Sequence, residues 1–514
     1  MIPTPHTSPH PAGAEADIDT DADARELAAF GYRQQLKREL GFWTNFGLGF
    51  AFVSPVVGLY SIVGAGMFAS GPAWIWALLI ALSGQILLAL VFAELASQFP
   101  VSGGIYQWSR RLVGPRYGWF AGWLYAWTQI ITFASVSYLG GFWMAELFGR
   151  TPGAREQLLW GFGVLLLVTA VNLLGQNPLK YSVNVGIAAE LVASVAIGLI
   201  LLVFFAAHDW SVFFHTLGAA DNWQGSSTGG FLAAIAVAGW AFVGFDACSA
   251  VSEEVKDPRR HVPRALLMSL VVVGLVIVMN AVAVVQAERS LTGLVQVLTV
   301  DPLTPLVTDS FGGWVAKPFQ GVVLASFVAC SIAIQTTGTR TLFSLSRDRA
   351  LPFSDRLQKV ARNQVPANAV LTTTVIGAAI LCVGLNGSAV STLIAFTSGG
   401  FYASFTLAAV AALWARLRGR WDPRLGTFHL RGWGLPVNVI AVLWVCFETV
   451  NIAWPRPQLL AAGAPWYLEW AVPLIGLVLT VTGVLYLARH PRPGGPEIPV
   501  MAPRPPDPAT TARG

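Results

Sequence analysis

The chain has 514 residues, 54% of them hydrophobic and only 11% charged, where soluble domains carry about 25% charged residues. Its mean hydropathy is +0.60, and apolar stretches of about 20 residues recur from 46 to 487. That pattern marks an all-α polytopic membrane protein, not a barrel, whose strands alternate apolar and polar residues. The net charge of +5 comes with no basic-aromatic stripe that would suggest nucleic acid, and the four cysteines, Cys248, Cys330, Cys382 and Cys446, show no metal-ligand spacing, so neither metal nor cofactor is expected.

In chain order, residues 1–40 mix Pro, His, Asp and Ala without an apolar run or a signal-peptide h-region, and read as a disordered cytoplasmic tail. Twelve transmembrane helices follow, near 46–69, 73–96, 117–144, 158–176, 184–206, 229–251, 265–287, 318–343, 367–386, 389–414, 434–454 and 467–487. The first, "GFAFVSPVVGLYSIVGAGMF" (49–68), holds Ser54, Pro55 and Gly58 inside its apolar run. Proline lacks an N–H, and glycine tolerates unwound geometry. In the third, Tyr125 and Gln129 share a face by i, i+4 spacing and can line a path with Trp127; packing is the plainer reading of all three. The fifth carries a carboxylate, Glu190. The loop at 208–228 is too short for a catalytic domain. The sixth, "FLAAIAVAGWAFVGFDACSAVSEE" (231–254), sets Gly239 and Gly244 around Trp240 and then Asp246. Residues 490–514 are Pro-rich and read as a second disordered cytoplasmic tail. With the N-terminus inside, 27 of the 32 Lys and Arg fall on the inner side, and only Arg150, Arg155, Arg289, Lys317 and Arg456 on the outer. The positive-inside rule then puts both termini in the cytoplasm and the chain in the cell (plasma or inner) membrane.

The two interrupted spans are five apart, so the sixth runs opposite to the first. Residues 41–207 (helices 1–5) and 208–415 (helices 6–10) can thus be two units of a five-plus-five inverted repeat, with helices 11–12 (416–489) outside it. Each break taken alone can be an ordinary kink. Unwound backbone in lipid leaves N–H and C=O groups that cost several kcal/mol each unless protein, water or a ligand pairs them. A half-helix N-terminus suits a carboxylate and free carbonyls suit an ammonium, so two facing breaks at mid-membrane suit a zwitterion.

Three stretches carry a family resemblance: "VFAELASQFPVSGGIYQWSRRLVGPRYGWFAGW" (91–123), "GWAFVGFDACSAVSEEVKDPRRHVPRALL" (239–267) and "RTLFSLSRDRALP" (340–352). They resemble the second-to-third helix region, the sixth helix with its loop, and the end of the eighth helix of the amino acid–polyamine–organocation superfamily. The stretches "SPVVGLYSIVGAGMFASGPA" and "AELASQFPVSGGIYQW" look most like its amino acid/choline transporter branch. The resemblance spans about residues 41–490 and implies a leucine-transporter-like fold with alternating access, helices 1 and 6 being unwound around the substrate. It puts the carboxylate-holding turn at Ser54, Pro55, Val56, Val57 and Gly58, where two small residues of the family pattern are replaced by valines. It puts an aromatic gate at Trp240, the second unwound turn at Val243, Gly244, Phe245 and Asp246, and a further gate near Ile334, beside Gln335, Thr336 and Thr337. Some proton-dependent relatives carry a lysine in helix 5 whose ammonium replaces sodium. The matching residue here is Glu190, which cannot mimic a cation but can bind a proton or help hold a cation.

The candidates follow. Asp246 binds a proton or a substrate ammonium, or hydrogen-bonds the unwound backbone. Glu190 couples transport to a proton or sodium ion, or ties helices together. Trp240 closes over the substrate or simply packs. Glu94, Glu253, Glu254, Arg110 and Arg111, with the basic inner loops "KDPRRHVPR" and "SRDRALPFSDR", form an inner gate, or are topology anchors and solvated loop charges. The leading function is a secondary active permease for an amino acid or related amine, with a choline, polyamine or γ-aminobutyrate exchanger as the variant. No G-x-x-x-x-G-K-[ST] loop or H-E-x-x-H motif is present, so an ATPase or membrane enzyme is not expected. A nutrient sensor without transport would share the fold.

Overall fold

The computed structural model describes residues 23–298, 301–385, 387–460 and 463–490, apart from the side chains of 387–393. The tails expected to be disordered lie outside the described residues, except for 23–40 and His490. Among the described residues the backbone is helical, apart from turns, connecting loops and one isolated bridge between Leu40 and Val255. Twelve helical spans are long and apolar enough to cross a membrane: Phe42–Tyr60, Val63–Gln98, Pro115–Leu147, Ala154–Leu174, Gln176–Phe204, Ser227–Ala250, Pro258–Ala287, Gly313–Arg347, Ala367–Leu385, Ile394–Leu417, Arg431–Ala453 and Ala471–Arg489. They are called spans 1 to 12 below. Runs this apolar satisfy every backbone group within one segment, which is what lipid requires.

Burial separates two classes of span. In spans 1, 3, 6, 8 and 10 at least 67% of the most apolar stretch is buried by protein, against 17–39% in spans 4, 5, 9, 11 and 12. The second group shows large apolar side chains outward, such as Leu443, Val450, Leu477 and Val478. These outer spans show one apolar face to the lipid, and the inner five form the centre of the bundle.

Two of those inner spans are interrupted. The helix Phe42–Val53 stops at Ser54, whose φ of 47° and ψ of 108° leave the helical region. Pro55 follows, and with no N–H it starts a new short helix, Pro55–Tyr60. The chain breaks again at Ser61-Ile62 and resumes as Val63–Ser70. Gly71, at φ +58°, then turns the chain. The following helix Trp74–Gln98 has 25 residues, so at about 37 Å it crosses alone. The helix Val63–Ser70 therefore completes the first crossing, and the boundary expected between 69 and 73 falls on this turn. In span 6 the helix Ser227–Ala238 tightens into a 3-10 turn, Gly239–Phe242. Val243 is extended, Gly244 has φ +93°, and helix returns at Ala247–Ala250. Span 5 is also irregular: directly after Glu190, residues Leu191–Ala196 form a π-helical turn.

Residues 23–40 differ from the expected tail. Leu27, Phe30, Tyr32, Leu36 and Leu40 are buried against the helices. Leu40 N donates to Glu254 O (2.8 Å), and Lys256 N donates to Leu40 O (2.9 Å). The short apolar residues here are spaced among charges, so hydropathy alone hides them. Only the groove formed by the folded helices gives them something to pack on.

Gly244 is the tightest backbone contact between the two interrupted spans. A Cβ built on it would lie 1.9 Å from Phe52 Cδ1, at a φ that L side chains rarely adopt. Gly244→Ala is expected to destabilise the purified protein by at least about 2 kcal/mol. A thermal melt in detergent checks this; an unchanged midpoint would contradict the contact.

Candidate functional site

The first break is held by a carboxylate from span 5. Ser54 Oγ donates to Glu190 Oε1 in a short hydrogen bond, and Val56 N donates to Glu190 Oε2 at 2.9 Å. Val57 N donates to Ser54 Oγ (3.0 Å) and Gly58 N to Ser54 O (2.8 Å). Pro55 has no N–H to offer. The amides of Val56, Val57 and Gly58 are thus all engaged by the protein itself. Glu190 therefore occupies the end of the half-helix where the family resemblance places a substrate carboxylate. Tyr60 Oη donates to Ala193 O (2.8 Å), inside the π-helical turn, so spans 1 and 5 are joined twice.

The second interruption of the first crossing, Ser61-Ile62, was not singled out in the sequence. It borders a cavity of about 420 Å³. Tyr60, Ser61, Ile62 and Ala65 line one side, and Ala236, Val237 and Trp240 of span 6 another. Phe142, Trp143 and Phe327 close it from spans 3 and 8. Ser61 Oγ is buried without a hydrogen-bond partner. The helix Val63–Ser70 begins at this wall, and the positive end of its dipole lies at the cavity. The small residues Gly64, Ala65 and Gly66 are the signal that could have revealed it. Toward its mouth the cavity is lined by Trp454, Arg456, Leu460, Leu468 and Glu469, all from the connection between spans 11 and 12.

Trp240 sits at the inner end of this cavity. Its Nε1 donates to Val57 O at 3.4 Å, so the indole bridges the two interrupted spans. Gly58 allows the close approach: a Cβ there would lie 3.3 Å from Ala241 O. Past Trp240 along span 6, Asp246 and Tyr125 are joined by a short hydrogen bond from Tyr125 Oη to Asp246 Oδ2. Asp246 Oδ1 and both amide atoms of Gln129 are buried without partners. The pairing of Tyr125 with Gln129 read from i, i+4 spacing thus lies beside Asp246. Val243 is buried in the extended turn. Phe245 packs against Phe92 and Phe405, in an aromatic cluster. Trp127 packs edge-on against Trp123, away from Asp246.

Span 8 behaves differently from its expected gating role. Ile334 is buried in the core and does not line the cavity. Thr336 Oγ1 donates to Asn172 Oδ1 (2.7 Å), and Gln335 bonds Asn172, Thr169, Thr373 and Thr374. These residues hold span 8 to spans 4 and 9. Thr337 returns its hydroxyl to Ala333 O (2.8 Å). The apolar periodicity of the span cannot tell which polar face meets a neighbouring helix and which a ligand.

The face carrying residues 23–40 is sealed by buried ion pairs. Arg110 meets Asp348 (2.6 Å), Arg340 meets Glu254 (2.8 Å) and Arg347 meets Glu253 (2.8 Å). Tyr32 from the N-terminal segment donates to both Asp348 oxygens at 3.0 Å, and Tyr106 donates to Oδ2 at 2.7 Å. Burial and the Asp348 carboxylate push both phenols above their ordinary range, which keeps them as donors. Arg347 lies 3.8 Å over the Tyr32 ring. Arg111 stacks on Phe30 instead. Glu94 stands apart, paired with Arg416 and accepting from Leu430 N (2.8 Å). Of the expected gate residues, Arg110, Glu253 and Glu254 are therefore in the seal, whereas Glu94 and Arg111 brace its edges. Arg347 and Asp348 come from the "SRDRALPFSDR" loop read with that gate, whereas Arg340, earlier in the same helix, was not singled out.

The amino acid permease family model matches residues 40–479. The chain is 25% identical to Amino-acid permease BAT1 of Arabidopsis thaliana, over 91% of this chain and 95% of that protein. It is 26% identical to Branched-chain amino acid permease BcaP of Bacillus subtilis, over 90% and 96%. It is 25% identical to Amino-acid permease 2 of Neurospora crassa, over 88% and 85%. With twelve apolar spans and a family match over most of its length, the chain is a multi-pass membrane protein that belongs to the amino acid permease family.

Proposed function

We propose that the protein moves an amino acid with an apolar side chain across the cell membrane by alternating access, driven by an ion gradient. The carrying observation is the cavity at Ser61-Ile62, backed by Trp240 and walled mainly by apolar side chains, both aliphatic and aromatic. Its position against the start of Val63–Ser70 supports a substrate carboxylate at that helix end. The apolar walls favour an apolar side chain over a polyamine, and a relative named for branched-chain amino acids fits the same choice. Family membership supports a transporter.

In this reading the two interrupted spans begin two inverted five-span units, and the face with residues 23–40 is cytoplasmic. The cavity opens to the opposite face while the ion pairs seal the cytoplasmic one, so the conformation is outward-facing. Trp240 separates the cavity from Asp246, and substrate binding would move it. Asp246 and Gln129, with their unpartnered atoms, then become reachable by the substrate ammonium or by a proton. Glu190 fixes the first break and can respond to the coupling ion.

The test is uptake into proteoliposomes of leucine, isoleucine, phenylalanine, choline and putrescine under imposed proton or sodium gradients. Accumulation of leucine or isoleucine is expected; transport of choline or putrescine alone would overturn the reading. Trp240→Leu should weaken apparent affinity about tenfold, and wild-type affinity would remove its role as a lid. Asp246→Asn should flatten the pH profile of uptake, and an unchanged rate and profile would defeat its role.

The seal generates a separate expectation. Tyr32→Ala removes donors to Asp348 and the ring beneath Arg347. A cysteine introduced at Ser102, beside this network, should then react several-fold faster with a membrane-impermeant maleimide added to the cytoplasmic face. An unchanged labelling rate would show that the N-terminal segment does not bias the gate.

A further inference from the structure

One buried carboxylate takes no part in the site above. Glu448 lies in span 11 and is fully buried. Its Oε2 accepts from Asn451 Nδ2 at 2.8 Å, but its Oε1 accepts nothing. Tyr402 Oη of span 10 and the amide of Gln85 from span 2 are turned toward each other and meet no other polar side chain among the described residues; these two side chains are likewise fully buried. The groups converge on the second break: a Cβ built on Gly239 would lie 3.2 Å from Glu448 Oε1 and 3.3 Å from Tyr402 Oη. Gln85 faces Tyr402.

This cluster contrasts with four acids buried elsewhere in the protein. Glu94, Glu253, Glu254 and Asp348 each meet a guanidinium directly. Glu448 does not. Arg456 spends its guanidinium on Asn451 O (2.5 Å), Asn451 Oδ1 (2.6 Å) and Trp454 O (3.1 Å), and reaches the carboxyl only through Asn451. The ionisable groups facing Glu448 are Tyr402 from span 10 and Arg456 from the following loop. Span 2 offers the neutral Gln85, and span 6 the Leu232 carbonyl, which accepts from Asn451 Nδ2 (3.0 Å). A buried carboxylate with one donor and no direct ion partner is poorly satisfied. A carboxylic acid is not: its O–H can be offered to Tyr402 Oη, which lies with Glu448 Oε1 against Gly239.

We propose that Glu448, Tyr402 and Gln85 form a buried proton-binding site behind the sixth-span break, and that the proton bound there couples transport to a proton gradient. A hydronium ion from the open face gives up its proton, an O–H bond forms at Glu448 Oε1, and water is released. Arg456 lines both the cavity and a second groove that contains Asn451, so water reaches the cluster's edge from the open face. Gly239 starts the 3-10 turn that carries Trp240. Gain or loss of the proton changes what the carboxyl presents to that turn, and so biases the lid. The coupling part rests on the transport reading above; the proton site does not.

Two measurements on the full chain in proteoliposomes test it. The first is the infrared difference spectrum between acidic and neutral buffer. The wild type should show a carboxylic C=O band that changes frequency in Glu448→Asp and loses one contribution in Glu448→Gln. Spectra of the variants identical to wild type would overturn the site, and Glu448→Asp answers the question even if Glu448→Gln does not fold. The second uses radiolabelled leucine. Glu448→Gln should lower accumulation under an imposed proton gradient about tenfold while leaving counterflow exchange within about twofold. Proton-driven accumulation equal to wild type would overturn the coupling. If the wild type moves no leucine in either assay, the transport reading fails, while the infrared result still decides the proton site.

Discussion

Ser54 and Val56 donate to the two oxygens of Glu190, and this contact between spans 1 and 5 fixes the geometry around which the other inner spans are arranged. Without it, a serine at positive φ and an unpaired amide would sit in an apolar interior, each costing on the order of 1–3 kcal/mol. With it, the first crossing can stop, restart at Pro55 and stop again at Ser61. The carboxylate replaces what a bound anion would otherwise supply to the first half-helix. The opening toward a ligand is thereby moved two turns along, to the start of Val63–Ser70.

The second break obeys the same accounting by different means. Gly244 takes a backbone conformation that relieves the chain of a side chain where Phe52 presses against it. The indole of Trp240 returns a hydrogen bond to the carbonyl of Val57. Each break is therefore partly completed by the other. Among the polar atoms left unsatisfied near the breaks are Ser61 Oγ at the cavity, Asp246 Oδ1 and the Gln129 amide beyond Trp240, and Glu448 Oε1 beside Gly239. Buried polar atoms are normally paired, so these exceptions mark where a polar ligand or ion has room to act.

Ion pairing distinguishes the two ends of the helix bundle. At the end that carries residues 23–40, buried acids and guanidinium groups neutralise one another, with Tyr32 tying the N-terminal segment into them. Breaking one such pair leaves a lone buried charge and costs about 3–5 kcal/mol, so this end opens only when the pairs separate together. At the other end the cavity is open and its mouth carries Arg456 and Glu469. Differential stability of two such states is what alternating access requires.

Hydropathy by itself determined the twelve spans, because a run of about 20 apolar residues has few alternatives to a membrane helix. Local chemistry also marked Ser54-Pro55 and Gly244, since proline removes an N–H and glycine permits positive φ. The sequence could equally place Tyr125 and Gln129 on one face. It could not say what fills the end of a half-helix: whether an amide meets Glu190 or a substrate depends on a residue more than 130 positions away in the chain. Nor could it tell that Thr336 faces Asn172, that Asp348 and not Glu94 centres the seal, or that Glu448 lies against Gly239. Those are distances between helices, set by packing of the folded bundle, and no spacing along one helix encodes them.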